Sequence, residues 1–340
     1  MGKIRFGVVG TNFISDWFLA GAAQDKRFEL MAVCSRRQDT ADAFAKRHNI
    51  PLTFTSLERM AASPDIDAVY IATPNFLHAS QSILCMEQGK HVLCEKPMAS
   101  NAREAKAVIE TAKKHGVVFM EAMKPTMSPN FKILADNIAR LGTIRRYFAS
   151  FCQYSSRYDR FKAGEMVNAF NPQYSTGALM DLGIYTIYPM VALFGIPDKV
   201  SASVTLLPSG VDGQGSVTFS YDGMEAVAVY SKISDSRLPS EIQGEKGTIT
   251  IDRINAPRVL TLYPNAKNLG GGIHDTIEPE TLSVGLTNDE YYYEVAEFID
   301  LIESGRSESA INSHTNSLAT ITLLDEIRRQ AGVVFPADKF

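Results

Sequence analysis

Short apolar runs alternate with amphipathic stretches over residues 1–121 of the chain. The runs are apolar along their whole length, and the stretches between them carry apolar residues at helical spacing. This alternation is typical of parallel strands joined by helices that cover both faces of a sheet. The predicted elements are strands at 4–9, 29–34, 67–72, 91–94 and 117–120, and helices at 13–23, 40–48, 77–87 and 102–115.

Beyond Glu121 the pattern changes to short segments in which polar and apolar residues alternate. A period of two is typical of antiparallel strands with one face on a core and the other in water. A chain of 340 residues is also longer than one hydrophobic core usually grows. We therefore predict an α/β fold with a doubly wound parallel sheet in residues 1–121 and an α+β domain with a large, mainly antiparallel open sheet in residues 122–340. The elements predicted for this second domain are helices at 130–140, 179–193, 292–302 and 317–330, and strands at 144–154, 200–207, 215–221, 226–233, 240–243 and 248–251.

Composition and charge argue against several classes of protein. The formal net charge is −4 and no long Lys/Arg stretch occurs, which argues against a nucleic-acid partner. The first predicted strand follows the N-terminus directly and no apolar run reaches the length of a membrane span, so we expect a cytoplasmic protein. The histidines show no ligand spacing, so no metal site is predicted. Four scattered cysteines among apolar neighbours are predicted to be buried, reduced thiols: Cys34, Cys85, Cys94 and Cys152.

The turn after the first predicted strand has the context of a phosphate-binding loop, because it leads from a strand into a helix N-terminus. Only Gly10 matches the three-glycine fingerprint of such loops. Asn12 stands at the second glycine, where we expect it to tolerate left-handed backbone angles, and Ser15 is small enough to replace the third. An ordinary strand-to-helix turn is the alternative. The candidate loop consists of Gly10, Thr11, Asn12, Phe13 and Ile14.

The end of the second predicted strand carries Ser35, Arg36 and Arg37. An NAD site would place an acidic residue here for the ribose 2′-hydroxyl, whereas guanidinium groups suit a 2′-phosphate. Asp39 is too far beyond the strand and is interpreted as a residue of the next helix's first turn. We therefore favour NADP over NAD as the cofactor. In the alternative, both arginines are only solvated.

Two further segments carry candidate chemistry. Lys96 follows an apolar strand and precedes Pro97, at the strand end where open α/β sheets bind ligands. Asp181 and Tyr185 lie four residues apart on a predicted helix, so both side chains can face one cleft. A phenol titrates too high for acid/base work at neutral pH unless an ammonium stabilises its anion, so Lys96, Tyr185 and Asp181 are the predicted catalytic residues. A surface lysine in a turn and a half-buried core tyrosine are the structural alternatives.

These motifs together resemble the glucose-fructose oxidoreductase and inositol dehydrogenase family, of Gfo/Idh/MocA type, over nearly the whole chain. The matching segments are Glu95-Lys96-Pro97, Thr73 to His78, Gly177 to Tyr185, and Gly244 to Gly247. The resemblance implies a Rossmann domain followed by a largely antiparallel α/β domain, and we predict a cis Lys96-Pro97 bond. The resemblance also implies that six further residues contact the cofactor: Thr73, Pro74, Asn75, His78, Glu95 and Lys96. Helix capping by Asn75 and His78, and a purely structural role for Glu95, are the alternatives.

The chain departs from the family pattern at two positions. Many members carry histidine where this chain has Tyr185, and the tyrosine is similar to the branch with glucose-fructose oxidoreductase and dimeric dihydrodiol dehydrogenase. That branch often has an arginine at the position of Thr126, whereas the nearby cation here is Lys124. Substrate contacts of this segment are therefore not carried over. The resemblance also implies a homodimer or homotetramer formed through the C-terminal sheet.

The leading hypothesis is an NADP-dependent oxidoreductase that transfers a hydride between nicotinamide and a secondary alcohol or carbonyl of a sugar, polyol or similar compound. Tyr185 would move the proton, Lys96 would lower the phenol pKa and polarise the oxygen, and Asp181 would hold a neighbouring hydroxyl. The alternative is a non-catalytic dinucleotide-sensing regulatory protein, which should lack this lysine and acid/base residue. A polar-aromatic segment is interpreted as a solvated loop rather than a wall of the cleft: Tyr154, Arg157, Tyr158 and Arg160.

Overall fold

The first part of the chain forms a six-stranded parallel sheet in the computed structural model, which describes residues 2–265 and 278–339. Its elements are β1 (Ile4–Val9), α1 (Phe13–Ala22), β2 (Phe28–Cys34), α2 (Gln38–His48), β3 (Leu52–Phe54), α3 (Leu57–Ala61), β4 (Ala68–Ile71), α4 (His78–Glu87), β5 (His91–Glu95), α5 (Ala102–His115) and β6 (Phe119–Ala122). The strand order β3-β2-β1-β4-β5-β6 is that of a doubly wound dinucleotide-binding sheet, which confirms the predicted fold. Only β3 and α3 were missed, because they are too short to show a period.

The second part forms an eight-stranded sheet with helices around it. Its elements are α6 (Lys124–Met127), α7 (Pro129–Asn137), β7 (Ile144–Cys152), α8 (Tyr158–Lys162), α9 (Ile184–Phe194), β8 (Lys199–Leu206), β9 (Asp212–Tyr221), β10 (Met224–Ser231), β11 (Ser240–Gly244), β12 (Gly247–Ile251), β13 (Leu260–Pro264), β14 (Glu280–Thr281), α10 (Glu290–Ser304) and α11 (His314–Ala331). The order is β14-β13-β12-β11-β7-β10-β9-β8, and only β7 and β10 pair in parallel. The predicted mainly antiparallel open sheet is confirmed. The sequence patterns missed the short helices α6 and α8 and the strands β13 and β14.

One face of the second sheet is a core and the other is polar. In β9, Val217 and Phe219 are buried while Ser216, Thr218 and Ser220 are exposed, as the period of two predicts. The helix α9 lies on the buried face, where the Tyr147 hydroxyl of β7 donates a hydrogen bond of 2.9 Å to the Thr186 carbonyl. The helix that carries Tyr185 is therefore packed on the buried face of the second sheet, which supports it.

A helix from the second part of the chain covers the first sheet. Phe298 and Tyr291 of α10 pack their rings 5.9 Å from Phe6 and 6.4 Å from Phe18, measured between ring centroids. These residues form one buried cluster with β1 and α1. The sequence does not show this return of the chain, and the domain boundary at residue 121, which falls inside β6, stays a prediction.

The segment Pro172–Phe194 is long and apolar enough, by length and composition, to cross a membrane. The statement that no apolar run reaches this length was therefore wrong. In the structure, 72% of its most apolar window is buried, as in the core helix of a globular domain. The apolar composition reflects the position of α9 between the sheet and α11, where Tyr188 bonds Ser317.

The four cysteines are free, and three of them are buried. Burial raises the pKa of Cys34 to about 11 and that of Cys85 to about 12, so these thiols are protonated at neutral pH. Cys152 is half-buried, so the prediction of a buried thiol is wrong there. It is the last residue of β7, where the strand leaves the core.

We predict that Gly177→Ala strongly destabilises the fold. Gly177 has φ +148°, and a Cβ there would lie 2.1 Å from Asp212 Oδ1. Gly305 also has a positive φ, +68°, but no atom of the described residues lies within 4 Å of an added Cβ, so Gly305→Ala is the matched control. Denaturant unfolding should show a loss of about 1–2 kcal/mol for the control and more than about 3 kcal/mol for Gly177→Ala. Equal losses would contradict the close approach to Asp212.

Candidate active site

A groove of about 410 Å³ runs along the carboxyl edge of the parallel sheet. Seven of the residues predicted to bind cofactor line it: Gly10, Thr11, Asn12, Ser35, Arg36, Thr73 and Pro74. Phe13 instead lines a neighbouring cavity, and the Ile14 side chain packs against the buried cluster of β1 and α1. The groove therefore follows the strand ends of β1, β2 and β4, where doubly wound sheets bind nucleotides.

The loop after β1 is held by side chains rather than by a row of glycines. Gly10 has φ +104°, and a Cβ there would lie 2.5 Å from the Ala72 carbonyl oxygen. Asn12 has φ −89°, so the expectation of a left-handed residue was wrong; its Oδ1 caps α1 by accepting from the Ile14 amide at 2.8 Å. Ser15 is fully buried and donates to the Gly10 carbonyl at 2.9 Å. It thus replaces the third glycine and fixes the turn.

The two arginines after β2 differ in their surroundings. Arg37 forms a two-pronged ion pair with Asp39 and lies outside the groove, so its predicted cofactor contact does not fit the geometry. Arg36 lines the groove and forms no ion pair within the described residues. Of the three candidate residues after β2, Ser35 and Arg36 therefore line the groove and Arg37 does not.

His78, Asn75 and Glu95 lie behind the groove rather than in it. The two ring nitrogens of the buried His78 lie 2.8 Å from the Pro97 carbonyl and 2.7 Å from the Thr73 carbonyl, and burial lowers its pKa. Asn75 donates to the Ser175 carbonyl at 3.0 Å. Glu95 accepts a hydrogen bond of 2.5 Å from the Tyr70 hydroxyl. These contacts fix the positions of the strand ends, and the side chains of His78 and Asn75 do not cap the N-terminus of the helical turn Asn75–Leu77 or of α4.

The structure brings Lys96, Asp181 and Tyr185 together. The Lys96 ammonium lies 3.3 Å from Asp181 Oδ1, 3.1 Å from the Asp181 carbonyl and 4.6 Å from the centroid of the Tyr185 ring. The Lys96-Pro97 peptide bond is cis, which confirms the prediction. Side chains from two distant segments of the chain thus lie in contact. Their catalytic roles stay predictions.

The helix that carries Asp181 and Tyr185 begins with a π-helical turn, Leu179–Gly183, before α9. The buried Asp212 of β9 holds this beginning, because its Oδ2 accepts a hydrogen bond of 2.6 Å from the Leu179 amide. Burial raises the pKa of Asp212 to about 6. Such single π-turns are frequent at functional sites. The turn aims both Asp181 and Tyr185 at Lys96.

A second lysine, Lys232, reaches the same carboxylate and was missed in the sequence. Its ammonium lies 2.6 Å from Asp181 Oδ2, and its side chain is 5% exposed. Burial acts to raise the pKa of Asp181, and Lys232 and Lys96 outweigh it and hold that pKa well below its usual range. Side chains alternate between the two faces of a strand, and Lys232 continues the face on which Ala228 and Tyr230 of β10 are buried. A lysine at a position that the alternation predicts to be buried was therefore the sign of a functional residue in the sequence.

A cavity of about 310 Å³ opens beside Asp181. Its walls are Phe13, Gln153, Tyr154, Ser155, Ser156, Arg157, Ala169, Asp181, Leu182 and Lys232. Tyr154 and Arg157 line this cavity, and Arg157 is at the same time exposed, as a solvated loop residue would be. Arg160 is exposed and paired with Glu165, as a solvated loop residue would be. A larger cavity of about 680 Å³ lies between Trp17 and Lys124 but touches neither Asp181 nor Lys232.

The environment of Tyr185 differs from the expectation for an activated phenol. Burial raises its pKa well above the usual value, and the carboxylates of Glu95, Asp181 and Glu294 raise it further. The net pKa of Tyr185 is thus raised rather than lowered, and the expected effect of Lys96, whose ammonium lies over the ring face, stays a prediction. Tyr185 is therefore protonated at neutral pH.

Lys124 and Thr126 have structural partners. The Lys124 ammonium forms an ion pair of 2.5 Å with Glu290 Oε2 of α10, and both side chains are 18% exposed. The buried Thr126 hydroxyl lies 2.6 Å from both the Met123 carbonyl and Asn312 Oδ1. The cation that stands in place of the family arginine is thus already neutralised.

The sequence matches two models of one protein family. "Oxidoreductase family, NAD-binding Rossmann fold" of the GFO/IDH/MocA group covers residues 4–123, and the GFO/IDH/MocA C-terminal domain covers residues 138–250. The chain belongs to the GFO/IDH/MocA oxidoreductase family. The family and the enzyme class expected from the sequence are confirmed.

Individual members of the family resemble the chain over its whole length. A scyllo-inositol 2-dehydrogenase (NADP(+)), IolU of Bacillus subtilis, is 49% identical and covers 99% of both chains. A trans-1,2-dihydrobenzene-1,2-diol dehydrogenase of Mus musculus is 29% identical, again over 99% of both chains. Among solved structures, a 3-ketoreductase of Actinomadura kijaniata in complex with NADP and TDP-benzene has a TM-score of 0.82 at 23% identity, covering 97% of this chain and 98% of its own. This last likeness supports the fold.

Glu121 is a buried acid directly behind Lys96. Its Oε1 accepts a hydrogen bond of 2.9 Å from the Met98 amide, while its Oε2 has no partner within the described residues. Burial raises the pKa of Glu121 from 4.5 to about 7. The folded protein therefore keeps this proton over a pH range in which the unfolded chain has released it, which destabilises the fold as pH rises.

We predict that Glu121→Gln changes the pH dependence of stability. The cost of ionised Glu121 is absent below about pH 4.5 and complete above about pH 7, so the free energy of unfolding of the wild type should fall relative to the variant by up to about 3 kcal/mol across this window. Urea unfolding at several pH values measures the difference. Glu110→Gln, on the exposed face of α5, should follow the wild type. A constant difference between wild type and Glu121→Gln would contradict the raised pKa.

Proposed function

We propose that this chain is an NADP-dependent oxidoreductase that transfers a hydride between nicotinamide and a secondary alcohol or carbonyl of a polyol, sugar or similar small polyhydroxylated compound. The observation that carries the proposal is the meeting of Lys96, Asp181 and Tyr185 beside a groove that contains Arg36. The 49% identity to an NADP(+)-dependent scyllo-inositol 2-dehydrogenase supports both the cofactor and the substrate class.

The groove has the chemistry that a phosphorylated dinucleotide needs. The close approach of Gly10 to the Ala72 carbonyl leaves no room for a Cβ, and the loop leads directly into the N-terminus of α1. Backbone amides and the helix dipole favour a pyrophosphate at such a place. Ser35 and Arg36 supply a hydroxyl and a charged fork for a 2′-phosphate. These residues support NADP as the cofactor.

The residues at the strand ends support proton transfer in either direction. The bound cofactor would supply or accept the hydride. Tyr185 is protonated at neutral pH and is therefore suited to give its proton to a carbonyl oxygen. In the opposite direction its phenolate would accept the proton of the alcohol. The Lys96 ammonium can donate to the same oxygen and stabilise its negative charge. Asp181 can accept a hydrogen bond from a neighbouring hydroxyl of the substrate.

The proposal extends to the division of the chain into domains and to the pairing of subunits. Residues 1–121 and 122–340 would form two domains, and subunits would pair through the open face of the second sheet as a homodimer or homotetramer in the cytoplasm. The exposed polar residues of β9 support a face that residues 2–265 and 278–339 leave uncovered. Light scattering of the purified protein measures the number of subunits directly.

Turnover assays test the proposed function. We expect activity with NADP⁺ on at least one member of a panel of inositols, other polyols and aldoses, or with NADPH on the corresponding carbonyl compounds. Tight NADPH binding without turnover of any of these compounds would contradict the proposal. It would favour the non-catalytic dinucleotide-sensing protein.

We predict that Arg36→Ala weakens NADPH binding and leaves NADH binding unchanged. Loss of one or two charge-assisted contacts to a 2′-phosphate costs on the order of 1.5–3 kcal/mol each, so the Kd for NADPH should rise about tenfold or more. Arg37→Ala is the matched control, because Arg37 is occupied by Asp39. Fluorescence titration of the wild type and both variants with NADPH and with NADH measures these Kd values. Equal losses in both variants, or a parallel loss for NADH, would contradict the assignment of Arg36.

We predict that Tyr185→Phe lowers turnover by roughly 10²–10⁴ without changing the Kd for NADPH, because only the transferable proton is removed. Tyr221→Phe is the control, since that hydroxyl donates to the Gly195 carbonyl far from the site. Steady-state kinetics and NADPH titration separate the two effects. Full activity of Tyr185→Phe would remove the tyrosine from the mechanism.

A further inference from the structure

The buried Lys232 and the half-buried Lys96, which follow strands of different sheets, lie on the two oxygens of the Asp181 carboxylate. We propose that Lys232 is a positioning residue, which fixes Asp181 in its anionic, inward orientation and thereby leaves the Lys96 ammonium free to donate to the reacting oxygen. This inference rests on the proposed function, because it assigns Lys232 a part in the same reaction. Neither the family motifs nor the sequence pattern names this residue.

The contacts of Lys232 are those of a fixed side chain. Its ammonium lies 2.6 Å from Asp181 Oδ2, 3.4 Å from the Ala169 carbonyl and 5.2 Å from the centroid of the Phe170 ring. Within the described residues, Asp181 is its only ion-pair partner. A buried ammonium costs several kcal/mol unless it is paired, so Lys232 and Asp181 hold each other in place.

The ammonium groups of the two lysines lie at unequal distances from the Asp181 carboxylate. The contact of 2.6 Å to Lys232 is a short charge-assisted bond, whereas the Lys96 contact of 3.3 Å is longer than such bonds usually are. Lys232 therefore takes most of the interaction with the Asp181 carboxylate. Without Lys232, we expect that carboxylate to close on Lys96 and to occupy donors that a substrate oxygen needs.

The charges around Asp181 predict the direction of a pH effect. The groups that face it are Lys96 from the end of β5, Lys232 from the end of β10 and Tyr185 from α9, with Asp212 of β9 near Lys232. Loss of Lys232 removes one of the two ammonium groups that lower the pKa of Asp181, so that pKa should rise. The acid limb of the pH profile, where activity falls as Asp181 becomes protonated, should then move to higher pH.

The test compares Lys232→Met with Lys232→Arg in the full-length enzyme. We expect Lys232→Met to lower kcat/KM by about 10–100-fold and to move the acid limb of its pH profile upward by about one unit or more. Lys232→Arg, which keeps the charge, should restore the acid limb. The control is Lys106→Met, which removes a lysine that is 69% exposed on α5 and should behave as the wild type.

A double-mutant cycle distinguishes positioning from a direct substrate contact. In an Asp181→Asn background, Lys232→Met should change kcat/KM by less than about twofold, because its target is gone. An unchanged acid limb in Lys232→Met, or an equal loss in both backgrounds, would overturn the proposal. Should Lys232→Met fail to fold by thermal melting, Lys232→Gln carries the same test. An inactive wild-type protein would instead contradict the proposed function itself.

Discussion

The Asp181 carboxylate between the Lys96 and Lys232 ammonium groups is the contact on which the candidate site depends. Lys96 follows a strand of the parallel sheet, Lys232 follows a strand of the second sheet, and Asp181 lies on the helical turn between them. Opposite charges at a partly buried site attract more strongly than in bulk solvent. The Asp181 carboxylate thus joins the ends of β5 and β10 to the π-helical turn, and it lies in the wall of the cleft.

This arrangement also needs a helix whose start cannot move. Asp212 fixes the Leu179 amide, and Gly177 lets the backbone pass close to the Asp212 carboxylate. The apolar α9 is then held against the second sheet by contacts such as that between Tyr147 and Thr186. The position of Tyr185 is consequently set by a buried acid and a sheet rather than by a loop, which is the kind of support that reactive groups require.

Buried acids on the other side of Lys96 oppose stability. Burial raises the pKa of Glu95, Glu121 and Glu294, and both carboxylate oxygens of Glu294 lack a partner within the described residues. Groups of this kind weaken a fold, and natural proteins keep such conflicts mainly at functional sites. Tyr185 keeps its proton chiefly because it is buried, and the charge of the Asp181 carboxylate beside it disfavours a phenolate further.

The sequence alone determined the longer strands and helices, the two sheets, and the motifs that contain Lys96, Asp181 and Tyr185, because all of these follow from local periodicity and short segments. The elements that it missed, such as β3, α6 and β14, are too short to show a period. Tertiary structure decided which neighbours each side chain has. It separated Arg36 from the paired Arg37, gave Asn12 a capping role, and placed Lys232 on Asp181. These contacts join residues or fix directions that no periodicity encodes: Lys232 and Asp181 are brought together by the packing of β10 against the π-helical turn, 51 positions apart in the chain. An inward lysine in a strand was visible in the sequence, but the carboxylate that it neutralises was not.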